Sequence, residues 1–302
     1  MTENKTAEMH TMLGTPESYH ELYQSLNLSD DFLFSKVMRD EDILRLLLEK
    51  ILGFGIRKVE FVQYQRVMEI DPEAHGIRLD VYADDDAGTR YSVEMQKRNE
   101  YNIPKRSRYY LSVMDLDMIE KGMKYNKLGQ TFVIFLCLFD PFHRHRQKYT
   151  FERICIEEND LHLNDETSII ILTDADDPQN GDDDIEKFFR YAVDSTTATA
   201  DSLESAFVSQ IHKRVLSVKN NRELEVEFVK LLERDQKNYN DGFSDGFNDG
   251  FNDGFNDGMH NIIKNMLNKG ILTDEEICEN TGCTKEFIDS VRASEGIGAS
   301  EA

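Results

Sequence analysis

The segment TFVIFLCLF, residues 131–139, is apolar at every position after its threonine. It is far shorter than the roughly 20 residues a bilayer-spanning helix needs, and it lacks the alternation of a half-exposed strand. A strand of this kind is stable only when both of its faces are covered, which requires a sheet with helices packed on it. The surrounding patterns supply such layers. Between Asp30 and Gly53, the residues Phe32, Phe34, Val37, Met38, Ile43, Leu46, Leu47 and Ile51 recur at helical spacing. Ser29 or Asp30 would be the N-cap, and the segment is one helix or two joined near Asp40. VEFVQYQRVM, GIRLDVYADDD and TRYSVEMQ follow as strands, with Asp84, Asp85, Asp86 and Gly88 turning the last pair into part of an antiparallel meander.

From Pro104 to Leu128 apolar residues fall every three or four positions, which predicts a long helix with a break at Gly122. After residues 131–139, Asp140-Pro141 turns the chain, QKYTFERICIE alternates as a strand, and residues 168–172 form another. The expected order αβββαβββ makes an α/β core with a mixed central sheet flanked by helices, plus a helical C-terminal extension. Five segments are expected: a loosely ordered lead-in at 1–26, the core at 27–180, a helical subdomain at 181–240, a tetrapeptide repeat at 241–260, and a small helix-turn-helix-like module at 261–302.

The formal charge of −23 argues against a phosphate-rich partner, yet the acid is unevenly spread. Residues 97–148 hold 11 basic and 5 acidic residues, net +6, a local stripe of the kind that neutralises phosphates. No membrane-spanning stretch and no basic-then-apolar leader is evident, so a cytoplasmic protein without membrane contact is expected. Cys137, Cys155, Cys278 and Cys283 form no CxxC pair and have no histidine partners at zinc spacing, which points to reduced thiols.

Strand alternation puts Arg78, Asp80 and Tyr82 on one face, and Ser92, Glu94 and Gln96 on one face of the next strand. If Asp80 lies opposite Glu94, their Cβ atoms stand about 5 Å apart. Tyr82 is then opposite Ser92 and Arg78 opposite Gln96. Two carboxylates so close repel unless a cation neutralises them. Mg²⁺ suits the pair, with the main-chain carbonyl of Met95 and waters completing an octahedral shell, and Mn²⁺ is an alternative. On spacing alone, a solvent-facing hairpin with two acids and a glutamine explains the pattern equally well.

IRLDVYADDDAGTRYSVEMQ, with DDFLFSKVMRDEDILRLLLEKILG before it and KRSRYYLSVMDLDMIEKGMKYNKL after it, resembles the recombination-promoting nuclease (Rpn) and putative transposase family of the PD-(D/E)XK nuclease superfamily. The likeness extends over about residues 28–235. It implies a restriction-endonuclease-like core and metal-dependent DNA cleavage. Asp80 and Glu94 would be metal ligands and catalytic residues, and Gln96 would stand where the superfamily usually has lysine. An amide cannot supply the positive charge of a lysine, so Gln96 is expected to orient water or phosphate. Asp31 is the family-matching candidate for a further acidic residue, although a charge at a helix N-terminus is equally explained by the helix dipole. Arg106, Arg108 and Tyr109 follow the hairpin as candidate phosphate contacts, or as a solvated basic face. The HRHR turn with His143 and His145 is expected to be solvated.

The repeat DGFS-DGFN-DGFN-DGFN-DGMH sets Phe243, Phe247, Phe251 and Phe255 four apart, alongside a row of glycines. Each step of four drifts about 40° around a helix, and each glycine weakens it by about 1 kcal/mol. The expectation is a helix that self-associates, phenylalanines against glycines; a flexible Asp-Gly linker is the alternative. Thr273 with Glu276 predicts a capping box, and Thr284 a second helix start. Taken together, the chain is expected to be a Mg²⁺-dependent endonuclease acting on double-stranded DNA with little sequence preference, in recombination or transposition. The alternative is a catalytically weak transposase-derived protein that acts as an oligomeric regulatory partner of related nucleases. An RNA-directed nuclease is a third option, for which no aromatic platform argues.

Overall fold

The computed structural model describes residues 16–68, 77–119, 124–175 and 181–297, with side chains left aside at 16, 61–68, 77 and 78. The strand Thr131–Cys137 (β4) is buried at all seven positions, as its composition requires. It sits inside a six-stranded mixed sheet of order β1-β2-β3-β4-β6-β5, formed with Val59–Met68 (β1), Ile77–Asp85 (β2), Arg90–Gln96 (β3), Lys148–Phe151 (β5) and Thr167–Thr173 (β6). β1, β2 and β3 make the antiparallel meander, β3, β4 and β6 run parallel, and β5 closes the edge antiparallel to β6.

A parallel β3–β4 pair needs a crossover, and the helix Ile103–Met118 (α4) provides it. Ile103, Tyr110, Leu111 and Met114 of α4 pack on Tyr82, Val133, Phe135 and Ile171 of the sheet. The helix ends at Met118 rather than near Leu128. Ile119 is already extended, a short 3₁₀ turn occupies Tyr125–Lys127, and Gly122 lies outside the described residues. The segment QKYTFERICIE is strand only through Phe151. It then turns through a separate hairpin joined by an Ile154–His162 bridge.

Immediately before the sheet come the helices Asp31–Val37 (α2) and Glu41–Leu52 (α3), separated by Asp40. Its carboxylate accepts from the backbone N–H groups of Asp42 and Ile43, a side-chain cap that starts α3 afresh. Before them lies the helix Pro16–Ser25 (α1), where an irregular lead-in was expected. A buried tyrosine accounts for the difference. Tyr23 is fully buried and its hydroxyl donates to the carbonyl of Val218, 2.7 Å away.

The helices Asp183–Val193 (α5), Thr197–Ser202 (α6) and Ala206–Lys219 (α7) are tied to this end of the chain. Ser29 N–H donates to Ala192 O and Leu28 N–H to Ser195 Oγ. The expected separate helical subdomain is therefore part of one compact unit that runs through Phe228, and a second unit begins at Val229.

The helix Arg222–Lys269 (α8) contains the whole repeat. Within the second unit, Ile263 packs with Ile277 of Asp274–Thr281 (α9) and with Ile288 and Val291 of Lys285–Glu295 (α10). Thr273 and Glu276 form the capping box, and Thr284 caps α10. Phe243, Phe247, Phe251 and Phe255 are exposed. Among the described residues no helix is long and apolar enough to cross a membrane.

Candidate active site

β2 and β3 pair with Val81 opposite Val93 and Tyr82 opposite Ser92. This is the register expected from the sequence. One step further, side chains take over from the ladder. Asp80 N–H donates to Glu94 Oε1 at 3.0 Å, and Met95 N–H donates to Asp80 Oδ2 at 3.2 Å. Each carboxylate is thus held by the backbone of the other's strand. Ser92 Oγ, on the same face as Glu94, lies 3.3 Å from Glu94 Oε1 and donates to it. Strand alternation alone places these groups together; no loop has to fold over them.

The surroundings differ from a solvent-facing hairpin. α4 covers this face of the sheet, so Glu94 keeps only 3% of its surface exposed. Burial, and next the charge of Asp80, push the Glu94 carboxyl well above the usual carboxylate range. The Asp80 N–H, the Arg106 guanidinium and the Ser92 hydroxyl counter only part of that rise. An apposed pair of oxygen ligands, one buried and reluctant to ionise without a counter-charge, is the donor chemistry that a hard divalent cation satisfies. The main-chain carbonyl of Met95 is adjacent, and it accepts a hydrogen bond from Gln96 Nε2 at 2.8 Å.

The other candidates separate. Asp31 is exposed at the start of α2, and among the described residues no group of three or more acidic, histidine or cysteine side chains is placed to hold a metal ion. Asp31 therefore does not complete a three-carboxylate set. Its neighbour Asp30 is ion-paired with Lys97, so the lysine just past β3 is committed away from the carboxylate pair. Arg108 and Tyr109 lie on the exposed side of α4. Arg106 lies on the sheet-facing side, its guanidinium carbon 5.1 Å from the ring centre of Phe135 and 5.8 Å from that of Tyr110. Phe135 is the direct β4 neighbour of Glu94.

Tyr110 and Phe135 were not singled out by the motif. The signal for them was the crossover itself: a helix joining two parallel strands must lie over their common face. The same topology groups three loops. Because β3, β4 and β6 are parallel, the segments leaving them share the end of the sheet at which Gln96 lies. The HRHR turn belongs to this group. Asp140 organises it by accepting from the N–H groups of Phe142, Arg144 and His145 and from the Tyr149 hydroxyl. Burial alone would raise the Asp140 carboxyl, but these hydrogen bonds outweigh it and hold the group below its ordinary value.

Phe243, Phe247, Phe251 and Phe255 belong to the second unit. The rings of the first three stack in sequence, with centres 6.5 Å apart for Phe243 and Phe247 and 6.4 Å for Phe247 and Phe251.

Comparison with known families gives one match: residues 29–175 fit the family described as PD-(D/E)XK nuclease family transposase. No curated protein and no solved structure matches the chain.

Proposed function

We propose, from the match of residues 29–175 to the PD-(D/E)XK nuclease family transposase family, that the protein is a Mg²⁺-dependent endonuclease that cuts double-stranded DNA with little sequence preference, in recombination or transposition. The interlocked Asp80–Glu94 pair carries this reading. Held by these carboxylates and the Met95 carbonyl, Mg²⁺ or Mn²⁺ would supply Lewis-acid stabilisation of the phosphate and lower the pKa of the attacking water. The chain's own part is positional. Backbone N–H groups fix both carboxylates, Gln96 holds the Met95 carbonyl in place, and α4 keeps bulk water from Glu94. The basic residues after β3, and those of the Asp140-organised turn, are suited to backbone phosphates at the same end of the sheet. The protein would work in the cytoplasm and self-associate through residues 241–260.

The test is plasmid nicking by the purified chain, in Mg²⁺ and in EDTA. Cleavage with Mg²⁺ alone, lost in Asp80→Ala, is the expected result. An Asp80→Ala protein that cuts as fast as the wild type would overturn the assignment.

One observation favours a second reading, that of a weak or inactive nuclease acting as an oligomeric regulatory partner. The Gln96 amide is engaged with the Met95 carbonyl, and Lys97 with Asp30, so neither reaches toward a substrate. Calorimetry that detects neither Mg²⁺ nor Mn²⁺ binding by a well-formed oligomer would select it.

A further inference from the structure

Arg106 is the one strongly basic side chain that α4 turns toward the carboxylates, and it is poorly provided for. Its Nε and Nη2 are both buried and neither has a hydrogen-bond partner. Its Nη1 lies 3.7 Å from Glu100 Oε2, beyond hydrogen-bonding range. Besides that loose ion pair the cation meets ring faces: Phe135, and Tyr110 stacked on Phe135 with centroids 6.1 Å apart. Buried donors without partners are unfavourable relative to hydrogen-bonded ones. A leucine would fill the same space without that cost.

Position gives the cost a purpose. Phe135 and Glu94 are register partners on adjacent parallel strands, so a guanidinium resting on the Phe135 ring is beside Glu94. It is close enough for its charge to draw the Glu94 carboxyl downward, yet it forms no ion pair with that group. The side chain is 21% exposed, which places it at the border of solvent rather than sealed in the core. A planar fork with free donors is matched to two oxygens of one phosphate, a geometry that lysine cannot reproduce.

We propose that Arg106 grips the phosphate being cleaved, donating from its fork to non-bridging oxygens beside Glu94, and that the rings of Phe135 and Tyr110 hold it ready. The proposal rests on the nuclease reading and deepens it. In hydrolysis a water oxygen bonds to phosphorus. The bond from phosphorus to the leaving sugar oxygen breaks with its electron pair, and that oxygen ends with the proton the water loses. Negative charge gathers on the non-bridging oxygens as this happens, and Arg106 meets it there. Gln96 and Lys97, both engaged elsewhere, leave that role open.

The experiment compares wild type, Arg106→Met and Arg106→Lys as full-length chains. It follows plasmid cleavage in Mg²⁺, duplex DNA affinity in EDTA, and thermal melting. Arg106→Met should lose about 100-fold in kcat, the scale of a deleted transition-state donor. Duplex affinity and melting temperature should stay near the wild-type values, and millimolar guanidinium should recover at least a tenth of the lost rate. Arg106→Lys keeps a cation over the rings without the fork. It should lose at least tenfold in kcat while folding normally, which carries the test if the methionine variant does not fold. Wild-type cleavage together with an Arg106→Lys or a folded Arg106→Met rate within threefold of it overturns this proposal alone. A loss that guanidinium does not restore, accompanied by a lowered melting temperature in both variants, also overturns it, because Arg106 is then a packing residue. A wild type without Mg²⁺-dependent cleavage overturns the nuclease reading as well.

Discussion

Phe135, in the middle of the sheet, is wholly buried, whereas Phe251, in the repeat of α8, keeps 64% of its surface exposed. Each belongs to a regular apolar pattern. In β4 the pattern is continuous and its partners come from the same unit: α4 on one side, and neighbouring strands in register. In the repeat the period is four, which winds around a helix instead of keeping to one face, and the exposed rings of Tyr239, Phe243, Phe247 and Phe251 stack along the helix's own surface. A pattern in sequence therefore specifies burial only where its period matches the element that carries it.

The sharpest way to break this comparison is the same truncation at both sites. Phe135→Ala removes a ring on which Arg106 and Tyr110 rest, and should cost about 3–5 kcal/mol of unfolding free energy. Phe251→Ala removes a ring already in water, and should change the stability of the single chain by less than about 0.5 kcal/mol. Urea titrations at low protein concentration measure both. Equal costs would mean that the repeat is buried against something in the isolated chain.

How far the sequence could be read follows the same division. β4 and the meander were legible because apolar continuity and two-residue alternation are local, and the pairing of Tyr82 with Ser92 is the one that follows if Asp80 lies opposite Glu94. Asp80 and Glu94 were singled out by that alternation together with the family resemblance. The burial of Glu94 was not, because it depends on α4 crossing above the sheet. α1 was missed because its anchor, Tyr23, finds its partner 195 residues away. Arg106, Arg108 and Tyr109 looked alike in a basic stretch, yet the 100° turn between successive helical residues sends only Arg106 to the sheet.

A smaller effect probes the buried acid directly. Glu94 has its folded-state pKa raised, first by burial and then by Asp80. The native state therefore holds a proton that the unfolded chain has released. Stability is fully present below the ordinary glutamate pKa and is lost as pH rises toward the folded value. In EDTA, the wild type minus Glu94→Gln difference should decline with pH over that window, with a slope approaching about 1.4 kcal/mol per pH unit. Mg²⁺ should flatten it. A difference that does not depend on pH would mean that Glu94 is solvated, and that α4 does not cover it as described.

The smallest effect separates the repeat alone from the repeat in an assembly. A Cβ added at Gly250 meets nothing within 4 Å, and the residue lies inside a helix. Alanine is favoured over glycine there by about 1 kcal/mol. Gly250→Ala should therefore raise the helical content and melting temperature of dilute protein. If a second copy packs against the glycine row, the added methyl group holds the helices apart. The two readouts then move in opposite directions: circular dichroism reports a more stable helix, while sedimentation reports weaker association. Phenylalanine ridges along the four-residue rows cross at about −50° when they interdigitate, so the contact is short and one methyl group near its centre is enough to disturb it. A variant that gains stability and keeps its sedimentation coefficient would leave the glycines without a role as a groove, and the exposed phenylalanines would have to associate by another face.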